Sequence, residues 1–184
     1  MTDAPFEKAT DSSGNARAVS VRIKAASASK VGGQNAHDLR KGPQPAYVDA
    51  TRSDLNRVLI VPRTAPQLRQ IVTERRAIRT TQRALKSNAA IGTVGIITFG
   101  HLAQTFFNEL SADRQDEALK AVASDLAARL KTTATGLVLH LDEAAPHAHF
   151  QFPAYDLDGN PLSQTTSPSA LADLQTIASD VMKS

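Results

Sequence analysis

The sequence predicts an α+β domain with a mainly antiparallel central sheet flanked by helices, and three observations predict it. A segment near the N-terminus alternates apolar and polar residues, as a half-buried strand does. Several longer segments carry apolar residues at helical spacing. Two strand-like segments, 137–142 and 147–152, are joined by only four residues, which favours an antiparallel hairpin.

The first elements lie in the basic part of the chain. Val19, Val21 and Ile23 alternate with polar residues and predict a strand whose outer side carries Arg22 and Lys24. Residues 25–53 are small and polar and contain Gly and Pro, so we expect an irregular segment there. Long irregular segments in compact domains are usually functional or mobile.

Helices and a buried strand follow. Thr64 and Pro66 mark the start of an amphipathic helix that we expect to reach residue 88, with most of its arginines off the apolar stripe. The β-branched segment 93–99 predicts a buried central strand. Ser111 begins a helix that runs to about residue 131, and Ser167 begins the last helix.

Length and composition fit one domain. The chain has 184 residues and no cysteine, which excludes disulfide scaffolds, thiolate zinc sites and cysteine nucleophiles. We expect residues 1–17 to be a flexible tail and residues 18–184 to form the domain. The N-terminus is unlike a secretory signal and no apolar run is long enough to span a bilayer, so we expect a cytoplasmic protein.

The net charge of +3 hides an asymmetry along the chain. Residues 16–86 hold fifteen Lys or Arg against four Asp or Glu, whereas residues 87–184 hold five against eleven. A basic half beside an acidic half indicates a polyanion partner on one surface. A solvated face with interspersed counter-charges explains the same pattern, and charge alone does not decide between the two.

The most informative segment is His140-Leu141-Asp142-Glu143-Ala144-Ala145-Pro146-His147-Ala148-His149. In a hairpin, the leucines and phenylalanines of its strands share the core face, and His140, His147 and His149 share the opposite, solvent-facing side. Three imidazoles on a stiff hairpin make a divalent-metal site with open coordination positions. Scattered surface histidines are the alternative interpretation.

Two carboxylates extend this site. Asp142 or Glu143 can accept a hydrogen bond from a metal-ligating histidine and so fix its tautomer, or can act as a general acid or base. Three nitrogen ligands disfavour an all-oxygen Mg²⁺ cage and fit Mn²⁺, Zn²⁺ or a related transition ion better. Mn²⁺ is the ion we expect, with Zn²⁺ or Mg²⁺ as alternatives. The HExxH helix of zinc proteases is absent from the sequence.

The histidine segment resembles the metal motif of the MobV relaxases, the Pre/Mob plasmid mobilisation and recombination family of the HUH endonucleases. The His37-Asp38-Leu39-Arg40 segment resembles the family's first motif, His-Asn-x-Arg, and Thr51–Asn56 resembles its second. Arg76–Arg79 is also similar. The chain departs from the family at Asp38, where Asn is usual, and at Asp54, where His is common.

The resemblance implies an enzyme that nicks one strand of supercoiled plasmid DNA at an origin of transfer, stays joined to the 5′ phosphate and later rejoins the ends. It implies that His140, His147 and His149 hold the metal and that Glu143 activates or orients the nucleophile. It also implies that His37 is this nucleophile, which gives a phosphoramidate.

Further roles follow for the basic segment. Arg40 and Lys41 lie three and four residues after His37 and are expected to clamp a phosphate. Tyr47 is the alternative nucleophile, because phenolate attack is the more familiar route. For the DNA backbone we expect contacts from Arg22, Lys24, Arg52, Asn56, Arg76 and Arg79.

The expected partner is single-stranded or supercoiled origin DNA. The resemblance also implies a homodimer formed through a C-terminal region absent from this sequence. Two other functions fit the residues: a metallohydrolase that uses the histidine site on another substrate, and a non-catalytic origin-binding protein of the same fold. His101 has no evident partner and is expected to be structural or exposed.

Overall fold

The structure, a computed structural model, describes residues 15–80 and 83–182. Its centre is a five-stranded sheet with the order β1-β3-β5-β4-β2, in which every neighbouring pair is antiparallel. The strands are β1 (Val19–Ala26), β2 (Arg57–Ile60), β3 (Gly92–Phe99), β4 (Gly136–His140) and β5 (His147–Pro153). The predicted α+β class with an antiparallel sheet is confirmed.

Helices cover both faces of the sheet. They are α1 (Ala28–Asp38), a 3₁₀ helix (Ala50–Leu55), α2 (Ala65–Arg76), α3 (His101–Glu109), α4 (Ala112–Arg129), α5 (Leu162–Thr165) and α6 (Pro168–Val181). The predicted helix starts are confirmed by their caps. Thr64 forms a capping box with Gln67, and the side chains of Ser111 and Ser167 each accept a bond from a backbone N–H of the first turn.

One face of the sheet forms the main core. Leu137, Leu139, Phe150 and Phe152 are almost completely buried there against α4 and α6. Gly95 of β3 lies under the Phe150 ring, where an added Cβ would come within 2.2 Å of a ring carbon. The close approach of that ring requires glycine at this position.

The opposite face lies under α1 and α2. Its apolar part is a small cluster of Ala26, Val31, Leu68 and Ile91. The rest of this face carries polar side chains, since strand residues alternate between the two faces. These polar side chains include the histidines.

Three predictions about local structure were wrong. Residues 25–53 are not irregular throughout, because they contain α1 and the 3₁₀ helix. The helix that starts at Thr64 ends at Arg76 instead of residue 88. Ile78, whose spacing from Leu68 and Val72 predicts a place on the apolar stripe of that helix, is exposed. Arg75 of the helix is buried and bonds Thr132, Thr133 and the Tyr155 carbonyl oxygen, so it is not on an open face.

The predicted tail falls mainly on residues 1–14, which lie outside the described residues. Residues 15–17 form a turn, and the Ala16 carbonyl oxygen accepts bonds from Leu102 and Ala103 at the start of α3. Within the described ranges, no helix combines the length and apolarity that crossing a membrane requires.

Candidate metal centre and active site

The register of the β4–β5 hairpin gathers three histidines. His140 pairs with His147, and Val138 pairs with His149, which places all three rings on the α1 side. The ring centroids are 5.1 Å apart for His140 and His147, 5.2 Å for His140 and His149, and 5.0 Å for His147 and His149. The three rings converge as predicted. The side of the hairpin that was predicted to face solvent is instead covered, since His140 is 0% exposed.

Helix α1 adds a fourth histidine. His37 lies in its last turn, on a helix where the sequence suggested a loop. Its ring stacks on His140 at 5.1 Å and meets His149 edge-on at 5.4 Å. The expected nucleophile and the three expected metal ligands therefore share one cluster.

The end of α1 directs Arg40 back toward this cluster. The Lys41 N–H donates to the Ala36 carbonyl oxygen (2.7 Å) and the Arg40 N–H donates to that of His37 (3.1 Å), which is the Schellman pattern. Arg40 occupies the left-handed position with φ of 49°, where glycine is usual. This conformation costs an arginine roughly 1 kcal/mol.

The Arg40 guanidinium holds two carboxylates. Its Nε donates to Asp142 Oδ2 at 2.8 Å, and its Nη2 donates to Asp142 Oδ1 at 2.5 Å and to Glu143 Oε1 at 2.8 Å. Nη2 also contacts His140 Nδ1. Ser53 donates a further bond to Asp142 Oδ2 at 2.7 Å. The Arg40 guanidinium, which was expected to clamp a phosphate, is thus bound to carboxylates of the protein itself. It also fixes Glu143 beside His37, since Glu143 Oε1 lies 3.4 Å from His37 Nε2.

Burial favours the neutral form of His37, His140 and His149. Burial, followed by the nearby Arg40 charge, lowers the pKa of His140 to about 2. Burial and the neighbouring His147 lower the pKa of His149 to about 3. Burial and Arg40 also lower the pKa of His37. Neutral imidazoles at neutral pH are the form that binds metal or acts as a nucleophile.

The pKa values of two aspartates move in opposite directions. Burial raises the pKa of Asp142, but the bonds from Arg40 and Ser53 outweigh burial and hold it well below the usual range. Burial raises the pKa of Asp38 to about 7, with a bond from Gln34 acting in the opposite direction. Asp142 is therefore a permanent anion, whereas Asp38 is a buried carboxyl without a strong partner.

The side chains fit a divalent cation. The Nε2 atom of His140 is buried without a hydrogen-bond partner, a costly arrangement for a polar atom. Two sets have ligand atoms within 4.8 Å of one another: His37 with His140, Glu143 and His147, and His37 with Asp38 and His149. Imidazoles with one or two carboxylates suit Mn²⁺ or a related transition ion.

A cleft of about 680 Å³ opens beside the histidines. Its lining is shared by His37, Glu143, His147 and His149, together with apolar residues such as Ile96 and Pro146. Tyr47 stands at the cleft with 63% of its surface exposed. The cleft therefore gives a substrate access to both expected nucleophiles.

The expected DNA-contacting residues divide by position. Arg22 pairs with Ile96, and Ile96 pairs with His149, so Arg22 lies on the histidine face about 10 Å across the sheet. Lys24 lies one row further along the same face, and both side chains are exposed. Lys41 and Arg52 are exposed on the segment that follows α1.

Asn56, Arg76 and Arg79 are placed differently. Asn56 Oδ1 accepts the Leu141 N–H at 2.7 Å, which fixes the start of the hairpin loop. The Arg76 guanidinium bonds the Arg83 carbonyl oxygen and lies 5.6 Å from the Tyr155 ring. Tyr155 follows the far end of β5, about 20 Å from His147 by strand length. Arg76, with the exposed Arg79, therefore lies away from the histidines.

Sequence reasoning missed the structural roles of Asp38 and Ser53. Ser53 lies inside the second motif, but no local pattern indicates that its hydroxyl reaches Asp142, 89 residues away. Asp38 stood out only as a departure from the first motif. His101, expected to be structural or exposed, is an exposed residue that begins α3.

Solved structures with this architecture are relaxase domains. Two are titled as MobM relaxase domains (MOBV; Mob_Pre) bound to plasmid pMV158 oriT DNA, as Mn-bound crystal structures. The first has a TM-score of 0.73 at 22% identity and the second 0.72 at 21%. Each match covers 89% of this chain and 86% of the other. A comparison with curated proteins found no match. The chain thus shares the fold of these domains.

The family follows from the sequence profile that matches residues 15–183. The chain belongs to the Mob_Pre family, described as plasmid recombination enzymes. The resemblance found in the motifs is confirmed.

Proposed function

We propose that the chain is a metal-dependent DNA relaxase that nicks one strand at a plasmid origin of transfer and remains joined to the 5′ phosphate. The observation that carries this proposal is the meeting of His37 with the three hairpin histidines and Glu143 at one cleft. Membership of the Mob_Pre family and likeness to oriT-bound MobM domains support it. The cytoplasm, where plasmid DNA resides, is the proposed location.

His37 is the proposed nucleophile. Its lowered pKa leaves the ring neutral at neutral pH, with a lone pair on one nitrogen. Glu143 is placed to accept the proton of the other nitrogen, because its Oε1 lies 3.4 Å from His37 Nε2. In the reaction the bond from nitrogen to phosphorus forms and the bond from phosphorus to the 3′ oxygen breaks. The proton that the ring gives up to Glu143 balances the proton that the departing 3′ oxygen takes up.

His140, His147 and His149 are the proposed metal ligands, with Mn²⁺ as the proposed ion. When bound, this ion neutralises charge on the scissile phosphate. Asp142 acts indirectly, because it accepts two hydrogen bonds from Arg40 and so fixes the guanidinium in place. Arg40 in turn keeps Glu143 beside His37.

Basic residues at the site end of the sheet are the proposed DNA contacts. Arg22 and Lys24 on the histidine face and the exposed Lys41 and Arg52 can neutralise phosphates on either side of the cleft. These contacts position the strand without reading its sequence. The partner is origin DNA in single-stranded or supercoiled form.

A denaturing gel tests the proposal. The protein is incubated with Mn²⁺ and a labelled oligonucleotide of its plasmid's own origin, and a covalent adduct is expected. A metallohydrolase would instead leave free ends without adduct, and a non-catalytic binding protein would leave the strand intact.

The same gel identifies the nucleophile. We expect His37→Ala to retain Mn²⁺ binding through the hairpin histidines but to lose the adduct, while Tyr47→Phe forms it at the wild-type rate. Mild acid is expected to cleave a phosphoramidate and to leave a phosphotyrosine intact. An acid-stable adduct that survives in His37→Ala and disappears in Tyr47→Phe would transfer the role to Tyr47.

A further inference from the structure

We propose that Asp38 is an additional, anionic ligand of the metal ion. This inference rests on the proposed function, because it concerns the same metal site. It gives the departure from Asn in the first motif a specific role. The expected ligand set is then three imidazoles and one buried carboxylate.

The position of Asp38 supports direct coordination. It is the last residue of α1 and is 6% exposed, with its carboxylate turned toward the hairpin. Its Oδ1 lies 3.9 Å from His140 Nε2. Two atoms that each bind one ion at about 2.1 Å lie at most about 4.2 Å apart, so this gap has the size that a shared ion needs.

The facing nitrogen lacks another partner. His140 Nε2 is buried and forms no hydrogen bond. A carboxylate oxygen of Asp38 also lies within 4.8 Å of ligand atoms of His37 and His149. Two unlike groups, an unpartnered nitrogen and a carboxylate oxygen, thus face the same space.

Charge also favours a cation at this position. Arg40 forms its ion pairs with Asp142 and Glu143. Among residues 15–80 and 83–182, no Lys or Arg forms an ion pair with Asp38, whose Oδ1 accepts one bond from Gln34 Nε2 at 2.7 Å. A buried carboxylate without a paired cation is costly, and a bound ion removes that cost.

A carboxylate ligand changes which ions the site prefers. Oxygen ligands suit Mn²⁺, whereas Ni²⁺ gains more from imidazole. Asp38 therefore biases a histidine site toward Mn²⁺. An amide at the same position would contribute no charge.

The test measures metal binding to the whole chain. Asp38→Asn keeps the size of the side chain and an oxygen that can accept the Gln34 bond, and its metal-free melting temperature checks the fold. Mn²⁺ alone is titrated and free Mn²⁺ is followed by electron paramagnetic resonance, while Ni²⁺ is titrated by calorimetry. We expect the Mn²⁺ Kd to rise at least about tenfold and the Ni²⁺ Kd to rise less.

Asp54→Asn is the matched control, because it removes the same charge from an exposed residue; its Mn²⁺ Kd is expected to stay within twofold of the wild type. A wild-type Mn²⁺ Kd in Asp38→Asn would overturn the inference. Equal losses for Mn²⁺ and Ni²⁺ would also overturn it, since they indicate charge acting at a distance. Should Asp38→Asn fail to fold, Asp38→Ser is measured in the same way.

His140→Ala separates this inference from the proposed function. If His140→Ala loses Mn²⁺ and Asp38→Asn does not, only the role of Asp38 fails. If His140→Ala binds Mn²⁺ as the wild type does, the hairpin site fails and the proposed function fails with it.

Discussion

The two faces of the sheet are built from the same strands but bury different kinds of side chain. Leu137 and Leu139 of β4 enter the apolar core under α4 and α6, whereas His140 of the same strand lies under α1. In β5, Phe150 and His149 divide in the same way. Alternation along a strand thus separates the side chains that stabilise the fold from those proposed to do chemistry.

Adjacent substitutions in β4 give the largest expected contrast. Leu139→Ala should destabilise the fold by about 2–5 kcal/mol, because it leaves a cavity in the main core, and should still nick DNA below its melting temperature. His140→Ala should lose nicking and Mn²⁺ binding at a smaller cost in stability. Thermal melts and nicking rates measure both effects. A greater loss of stability in His140→Ala than in Leu139→Ala would contradict the division between faces.

Arg40→Ala should give the next largest effect. Without the guanidinium, Asp142 is left as an uncompensated buried charge and Glu143 is no longer held beside His37. We expect kcat for nicking to fall roughly 10²-fold, the scale of a misplaced catalytic group. The exposed Arg52→Ala is the control and should affect binding more than kcat. A kcat within threefold of the wild type in Arg40→Ala would show that Glu143 needs no such support.

The pH dependence of nicking sharpens the same comparison. Burial and Arg40 place the pKa of His37 below its ordinary value of 6.5. The neutral ring is then the main form at pH 6.5 and above, so the rate should level off as the pH rises past the pKa and fall about tenfold per unit only below it. Single-turnover rates at saturating Mn²⁺ measure it. A rate that keeps rising toward pH 10 would instead indicate a tyrosine nucleophile.

Substitution of Arg22 or Arg79 should give the smallest effect, which is measured as the salt dependence of DNA binding. Arg22→Gln should lower the salt dependence of DNA binding by about one phosphate contact, because Arg22 lies in the row of His149. Arg79→Gln, near the far end of β5, should leave the slope unchanged. Binding measured across a salt series compares the two. If the slope fell equally in both variants, the DNA path would extend along the whole face. If it stayed unchanged in Arg22→Gln, Arg22 would make no phosphate contact.

The sequence was sufficient for elements whose pattern is local. Period-two alternation located β1, and a short connection between two strands located the β4–β5 hairpin and the shared face of its histidines. Helix α4 carries its own cap and apolar stripe. In each case the signal lies within about ten residues of the element.

The sequence did not predict helix α1, because the stability of this helix comes from packing. Its buried residues are Val31 and Asp38. Most of its other residues are small or polar, so large apolar side chains do not recur at helical spacing. Gly32 and Gly33 lower its helix propensity, although an added Cβ would meet nothing within 4 Å at either. Strand β2 is four residues long and lacks alternation.

The candidate site was predictable in its hairpin part and not in its α1 part. The sequence placed three histidines together because one hairpin carries them. It assigned Arg40 to a phosphate, because nothing local shows that a guanidinium reaches Asp142, 102 residues away. The pairing of Asp38 with His140 likewise depends on how α1 lies across the sheet.

The proposed nucleophile and the proposed metal ligands belong to separate parts of the molecule. His37 ends a helix, whereas His140, His147 and His149 belong to one continuous ribbon of the sheet. A DNA strand joined to the proposed nucleophile His37 would therefore be held by α1, and α1 is itself fixed to the ribbon by the bonds from Arg40 to Asp142 and Glu143.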